Sequence, residues 1–162
     1  MWKKKPINII VSVALILMII WLGFVRDSIF ININYIIEQI YYNKELIYYH
    51  SMYEFLVPMG VGGLMKLKWG LTALFAVVNF ILSYFILKNL FNSPKLPISL
   101  LSYGYLFLLL LSALFFIGGK VIGDAELGYT LSRRFMGVLQ SPVPIMVVAT
   151  VHMLFSSTSS KT

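Results

Sequence analysis

The chain has 162 residues, of which 59% are hydrophobic and only 12% are charged. Soluble domains carry about 45–50% apolar and about 25% charged residues, so this composition excludes an ordinary soluble domain and predicts an integral membrane protein. The formal charge of +7 does not predict a nucleic-acid partner, because the basic residues lie at the ends of apolar segments and form no single basic run. Because the sequence has no cysteine, disulfides, thiolate metal sites and cysteine nucleophiles are excluded.

The first apolar segment covers residues 7–24 and follows three consecutive lysines. A basic start before an apolar run is also typical of a signal peptide. This run of about 18 residues is long for a signal core, however, and no small-residue cleavage site follows it. The pattern therefore predicts a retained transmembrane helix.

Three further segments are long and apolar enough to span a bilayer, which takes about 20 residues in a helix. They cover residues 69–87, 98–117 and 135–155. The short turn NLFNSPKLP joins the first two of these, so they are predicted to form an antiparallel hairpin. The sequence thus predicts a single all-α integral membrane domain over residues 1–162, with about four transmembrane helices.

Residues 28–57 separate the first two predicted spans and are rich in aromatic rings. Six of the ten tyrosines of the chain lie here: Tyr35, Tyr41, Tyr42, Tyr48, Tyr49 and Tyr53. Tyrosine favours the lipid–water boundary, and isoleucines in this stretch recur at helical spacing. We therefore predict one or two interfacial helices that present the tyrosines as an interfacial platform. A β-strand is the alternative, since Ile and Tyr also favour strands, although an open sheet edge is unfavourable in lipid.

The lysines beside the first span predict its orientation. Lys3, Lys4 and Lys5 favour a cytoplasmic N-terminus under the positive-inside rule, although the basic residues of the whole chain divide almost evenly between the two sides. Four spans then return the C-terminus to the cytoplasm. The sequence therefore predicts a multi-pass protein with both termini cytoplasmic.

Two adjacent arginines precede the last predicted span. Arg133 and Arg134 lie on the side that the positive-inside rule disfavours, and Arg26 and Asp27 follow the first span on the same side. One interpretation is interface anchoring, in which arginines at helix ends reach the lipid phosphates. The other is a site that binds an anion or a partner, with Gln140 beneath it. Asp27 would pair with one arginine, and the others would bind an anionic lipid, a peptide carboxylate or an acidic residue of a partner.

Two prolines interrupt the last apolar segment. Pro142 and Pro144 each lack an amide hydrogen and crowd the preceding helical turn, so they predict a helix break. Gln140 and Ser141 are candidates to bond the freed carbonyls. The alternatives are a simple kink and a polar concavity beneath the arginines.

Residues that would carry catalysis or bind a metal are not recognisable in the sequence. His50 and His152 are the only histidines, and the acidic residues are scattered without ligand spacing. No serine has a recognisable base and orienting acid. We therefore predict no catalytic residue, no metal site and no cofactor.

Four segments of the sequence resemble a known family. The segments RDSIFININYIIEQIYYN, YHSMYEFL, LKWGLTALFAVVNFILSYFILKNLF and YTLSRRFMGVLQSPVPIM are together similar to the small membrane proteins encoded beside bacterial exosortases, the F-type or X-type associated proteins. The similarity covers most of the chain. It implies several helices in a bacterial inner membrane and a role beside an exosortase, the membrane enzyme that processes sorting-tagged surface proteins.

This resemblance leads to an expected function. Exosortases resemble cysteine transpeptidases, and this chain has no cysteine, so it is expected to be a non-catalytic accessory subunit with an outward docking surface. Its expected partners are the lipid bilayer and another membrane protein. The alternatives are a structural small subunit of another multi-subunit inner-membrane complex and a lipid- or anion-binding membrane protein.

Overall fold

The computed structural model describes residues 6–42, 50–91 and 94–158, and within these ranges the chain is helical and contains no strand. The helices are α1 (Pro6–Tyr42), a 3-10 helix (Ser51–Met59), α2 (Gly60–Leu90), α3 (Lys95–Ile122), α4 (Ala125–Leu139) and α5 (Val143–Thr158). The all-α prediction is confirmed for the described residues, and the strand alternative for residues 28–42 and 51–57 is excluded.

Three stretches of helix are long and apolar enough to cross a membrane. They cover residues 7–42, 51–90 and 95–122, and α4 with α5 would make a fourth span if this bent pair is counted as one. Their most apolar windows are only 11%, 33% and 17% buried within the molecule. Most of this apolar surface therefore faces outward, as expected for a membrane-spanning protein.

The first helix is longer than its hydropathy predicts. The prediction ends the first span near Phe24 and starts a separate interfacial segment near Ser28, whereas α1 is a single helix of 37 residues. Neither Gly nor Pro occurs between Phe24 and Tyr42, so the sequence contains no helix breaker at which the chain could turn into the membrane plane. This boundary prediction is corrected: α1 is about 55 Å long, against a hydrocarbon thickness of about 30 Å.

The chain divides into two compact units, one of which comprises Trp21–Phe75. The core of this unit is formed by Ile33, Ile36, Leu56 and Leu64, which are 0–6% exposed. Partly buried residues pack around them: Ile29, Ile37, Ile40, Tyr53, Val57, Leu67 and Leu71. The isoleucines of the predicted interfacial segment are therefore covered by the 3-10 helix and the start of α2.

Polar contacts also join the three elements of this unit. The His50 amide donates to Asn32 Oδ1 at 2.7 Å, and Lys68 Nζ donates to Asn34 Oδ1 at 2.7 Å. Gly60 has a φ of 63°, which a glycine adopts without strain, and it connects the 3-10 helix directly to α2. The second predicted span, which starts at Trp69, is therefore the later part of a helix that begins nine residues earlier.

The other unit comprises residues 1–20 and 76–162, and α4 runs antiparallel along α3 within it. The two backbones meet at Gly119 and Gly128: a Cβ built on Gly119 would lie 2.5 Å from the Cα of Gly128. One turn further along α3 and two turns further along α4, the rings of Phe115 and Phe135 stack with centroids 5.4 Å apart. Helix α4 therefore packs closely on α3, starting near the Ile122 end of α3 and continuing toward the middle of that helix.

The last helix continues toward the opposite end of α3. The ring of His152 on α5 packs edge-on against Phe91, with centroids 4.5 Å apart, and Phe91 lies four residues before the first residue of α3. Together α4 and α5 therefore run from the Ile122 end of α3 toward its Lys95 end.

Candidate functional site

The joint between α4 and α5 is a helix break. Helix α4 ends at Leu139, α5 begins at Val143, and the two axes are bent by 60°. In a continuous helix, residues 142 and 144 would donate to the carbonyls of residues 138 and 140. Pro142 and Pro144 have no amide hydrogen, so those two carbonyls need other donors.

Ser141 provides the first of these donors. Its hydroxyl donates to the carbonyl of Val138 at 2.7 Å, and its amide donates to the same oxygen at 3.1 Å. The Ser141 hydroxyl also accepts from the amide of Val143 at 3.3 Å. Because that amide bonds Ser141, it does not donate to the carbonyl of Leu139, which thus needs a donor from elsewhere.

Two neighbouring helices provide the remaining donors. The Tyr105 hydroxyl on α3 donates to the carbonyl of Leu139 at 3.0 Å, and Asn79 Nδ2 on α2 donates to the carbonyl of Gln140 at 3.4 Å. The ring of Phe80 packs edge-on against Tyr105, which holds the phenol in place. All three carbonyls freed at the break are therefore bonded within the protein.

Gln140 does not lie with the arginines at the protein surface. Gln140 is only 6% exposed, and its backbone amide caps α4 by donating to the carbonyls of Met136 and Val138. Gln140 is thus buried at the joint, where its backbone carbonyl is one of the bonded groups, whereas both arginines are exposed.

Arg133 and Arg134 are both exposed on α4. Within the described ranges, neither guanidinium forms an ion pair or a hydrogen bond. Their depth follows from the preceding residue, Ser132, whose hydroxyl lies 2.8 Å from that of Ser112 on α3. Ser112 is eight residues before Lys120, or about 12 Å along the helix axis. The two arginines therefore lie beside the apolar part of α3, about 12 Å from Lys120 toward the middle of that helix.

The arginines lie within a helix, whereas the prediction placed them just before the last span. Asp124 caps α4 by accepting from the amide of Leu127 at 3.0 Å, so the helix starts eight residues before Arg133. The free amides and the positive end of the helix dipole are thus at Ala125. Hydropathy missed this start because α4 is amphipathic rather than apolar throughout.

The two arginines lie on different parts of the α4 surface. Arg134 follows Leu127 and Leu131 at spacings of seven and three residues, which places the three side chains on one face. Arg133 has the same spacing to Glu126 and Thr130 instead. Each arginine therefore borders a chemically different surface.

The surface beside Arg134 is an apolar groove between α3 and α4. Its volume is about 410 Å³, and Asp124 is its one charged lining residue. The other lining residues are Leu111, Leu114, Phe115, Gly118, Gly119, Ile122, Leu127, Gly128 and Leu131. Of its three glycines, Gly118 leaves open space beside α3, whereas Gly119 and Gly128 allow the two backbones to approach closely.

The other predicted anion-binding residues lie in the unit Trp21–Phe75. Arg26 Nη2 donates to Asp27 Oδ1 at 2.7 Å, and Arg26 Nε donates to the same oxygen at 3.0 Å. The Asp27 side chain is 59% exposed, so this ion pair contributes little to stability. Asp27 is thus paired with the arginine next to it in the sequence.

The predicted tyrosine platform is divided between different environments. Tyr35, Tyr41 and Tyr42 are exposed on α1, and the last two rings pack edge-on with centroids 5.1 Å apart. Tyr53 packs against the isoleucine core. Tyr48 and Tyr49 lie outside the described residues.

Each histidine has a structural role in its own segment: His50 caps the 3-10 helix, and His152 packs against Phe91. His50 Nδ1 accepts from the Met52 amide at 3.2 Å and so caps the 3-10 helix. His152 Nδ1 is buried without a hydrogen-bond partner in the part of the chain that the structure describes. In that part, no three His, Cys, Asp or Glu side chains lie close enough together to hold a metal ion.

Comparison with known proteins adds no relative. No protein-family model matches the chain, and no curated protein or solved structure is similar to it.

Proposed function

We propose that this chain is a non-catalytic accessory subunit of a membrane complex, and that the arginine-bearing face of α4 is where a second membrane protein docks. One observation carries the proposal: two exposed arginines without an ion pair in the described ranges lie about 12 Å inside Lys120, beside the apolar α3. A charged side chain at the centre of a membrane helix costs at least about 2.5–3.5 kcal/mol. An acidic residue of a partner would remove most of this cost.

The helix break supports a docking role over transport. Ion-coupled transporters use broken helices whose free backbone groups bind the substrate or the ion. Here the carbonyls of Val138, Leu139 and Gln140 already accept hydrogen bonds from the protein. The joint is therefore a closed structural element, and the exposed polar groups are those of the arginines.

The resemblance in sequence suggests the kind of complex. We propose an exosortase-type protein-sorting or surface-biogenesis system in a bacterial inner membrane, with both termini of this chain in the cytoplasm. The support is the similarity of four segments, among them the one that contains both arginines and both prolines. A chain without cysteine fits an accessory subunit beside a cysteine-dependent enzyme.

Affinity purification from the native membrane in mild detergent tests this function. The wild-type chain is expected to bring down a membrane protein, and the double variant Arg133→Ala/Arg134→Ala is expected to recover at least about tenfold less of it, corresponding to about 1.4 kcal/mol. Lys120→Ala is the matched control. Lys120 is an exposed cation near the Ile122 end of α3, and it packs over the ring of Phe116 on its own helix.

The identity of the purified partner separates the candidate functions. An exosortase supports the proposed system, and a complex of another type supports a structural subunit of that complex. Phospholipid alone, retained by the wild type and lost from the double variant, would replace docking by lipid binding. Recovery of the same partner in equal amount by the double variant would refute the docking face.

A further inference from the structure

Arg134 and the apolar groove between α3 and α4 lie side by side on one face. We propose that the segment received at this face is a membrane-crossing helix of the partner, that an apolar side chain of this helix fills the groove, and that a carboxylate on the same helix pairs with Arg134. This inference rests on the proposed docking function and adds the chemistry and the register of the partner.

The groove requires an apolar occupant. Nine of its ten lining residues are Leu, Ile, Phe or Gly, and it lies beside the last three turns of α3 and the first two turns of α4. A Cβ built on Gly118 would meet nothing within 4 Å, so the space next to this glycine is open. Filling such a space with an apolar side chain gains about 25 cal/mol for each Å² of apolar surface that it covers.

The order of groups along the face favours a helix over a lipid. The groove reaches the Ile122 end of α3, where the carboxylate of Asp124 lies, and Arg134 is deeper in the molecule. A phospholipid whose acyl chain filled the groove would place its phosphate at that end, near Asp124 and away from Arg134. A transmembrane helix has no such restriction, because it can present an apolar residue at the groove and an acidic residue further inward.

The geometry of α4 sets the spacing on the partner. Arg134 lies three residues beyond Leu131 and seven beyond Leu127, or about 4.5–10.5 Å along the axis. A partner helix that lies roughly parallel to α4 has the same rise per residue. Its carboxylate should therefore be three to seven residues deeper than its apolar anchor. Arginine suits this pairing because its planar fork binds a carboxylate through two hydrogen bonds.

Designed single-span peptides test the inference without knowledge of the natural partner. The purified chain is placed in nanodiscs of phosphatidylcholine together with labelled leucine–alanine helices, and binding is measured by energy transfer. Each peptide carries one phenylalanine near one end and one glutamate at a varied depth. We expect the strongest binding when the glutamate is three to seven residues deeper than the phenylalanine, and at least about tenfold weaker binding when it is replaced by glutamine.

Matched variants of the chain separate the two contacts. Arg134→Ala should weaken binding at least about tenfold, whereas Lys120→Ala, which removes an exposed cation of α3 that does not line the groove, should change it less than about twofold. Gly118→Leu fills the groove and should also weaken binding. Gly104→Leu is its control, because Gly104 lies on the same helix outside the groove and equally has open space at its Cβ. Unchanged circular dichroism and elution volume show that each variant is folded.

Three results would overturn the inference. These are binding that does not depend on the depth of the glutamate, equal effects of Arg134→Ala and Lys120→Ala, and displacement of the peptide by a small fraction of phosphatidylglycerol. The purification experiment distinguishes this failure from failure of the proposed function. If the natural partner is still lost on removal of both arginines while the peptides do not bind, docking stands and only the transmembrane carboxylate is rejected.

Discussion

Replacement of Gly119 by alanine tests whether the contact between α3 and α4 holds the arginine-bearing helix in place. The new Cβ would lie 2.5 Å from the Cα of Gly128 and 2.8 Å from the carbonyl oxygen of Asp124. Non-bonded carbon atoms ordinarily approach to about 3.5–4.0 Å. Both obstacles are backbone atoms, so no side-chain rotation can relieve the clash, and the two helices must move apart by about 1 Å or more.

The expected loss of stability follows from the contacts near this point. Overpacking of a close interface costs about 1–3 kcal/mol. Separation of the helices also lengthens the 2.8 Å contact between the Ser112 and Ser132 hydroxyls, and a hydrogen bond between membrane helices contributes on average about 0.6 kcal/mol. A total near 2 kcal/mol should lower the melting temperature of a chain of this size by about 4–8 °C.

Thermal unfolding in detergent, followed by circular dichroism at one scan rate, measures this effect. Gly118→Ala is the matched control: Gly118 is the adjacent helical residue, its Cβ would meet nothing within 4 Å, and alanine favours a helix over glycine by about 1 kcal/mol. Gly128→Ala should reproduce the loss, since its Cβ would lie 2.6 Å from the Cα of Gly119. If Gly119→Ala melts at the same temperature as Gly118→Ala, the close packing of α3 on α4 is wrong.

Two further predictions concern the joint between α4 and α5. Tyr105→Phe removes the donor to the carbonyl of Leu139 and should lower the stability in detergent by about 1 kcal/mol, seen as a melting temperature about 2–4 °C lower. An unchanged melting temperature would show that this carbonyl does not depend on the phenol. Asn79→Ala should cause a similar loss through the carbonyl of Gln140, and the loss should be smaller in a Pro144→Ala background, where the restored amide can serve that oxygen. Additive effects in this double-mutant cycle would contradict the assignment.

Hydropathy predicted the apolar class and the helical content well, but it placed the boundaries poorly. An isoleucine at every third or fourth position is the same pattern whether the face meets lipid or protein. Ile33 and Ile36 in fact pack on Leu56 and Leu64, and the end of α1 is thus part of a protein core. That contact is made between segments distant in the sequence, so it could not be recovered from local periodicity.

At the candidate site, too, features set by neighbouring residues in the sequence were predictable, and contacts between distant segments were not. The two prolines locate the interruption, because the missing amide is a property of the residue itself. The donors that complete the joint were harder to predict: Tyr105 and Asn79 come from other helices, and only Asn79 was noticeable as a polar residue within an apolar run. The start of α4 has a local signal that was overlooked, since Asp124 directly precedes an amphipathic stretch.

The third predicted span ends too early. It ends at residue 117, just before GGKVIG, yet α3 continues through Ile122, and the chain turns at Gly123, whose φ is 88°. Gly118 and Gly119 are helical, and their missing side chains leave space for the groove and for α4. Adjacent glycines in a membrane helix indicate close packing as readily as they indicate a turn.

The amphipathic character of α4 has a consequence for how the chain enters the membrane during synthesis. A segment with two arginines and a glutamate is a poor substrate for insertion on its own, whereas α3 is apolar enough to insert first. Once α3 is in the membrane, Gly119, Ser112 and Tyr105 provide the contacts on which α4 packs. Helices α4 and α5 are therefore expected to be added to α3 after it has entered the membrane.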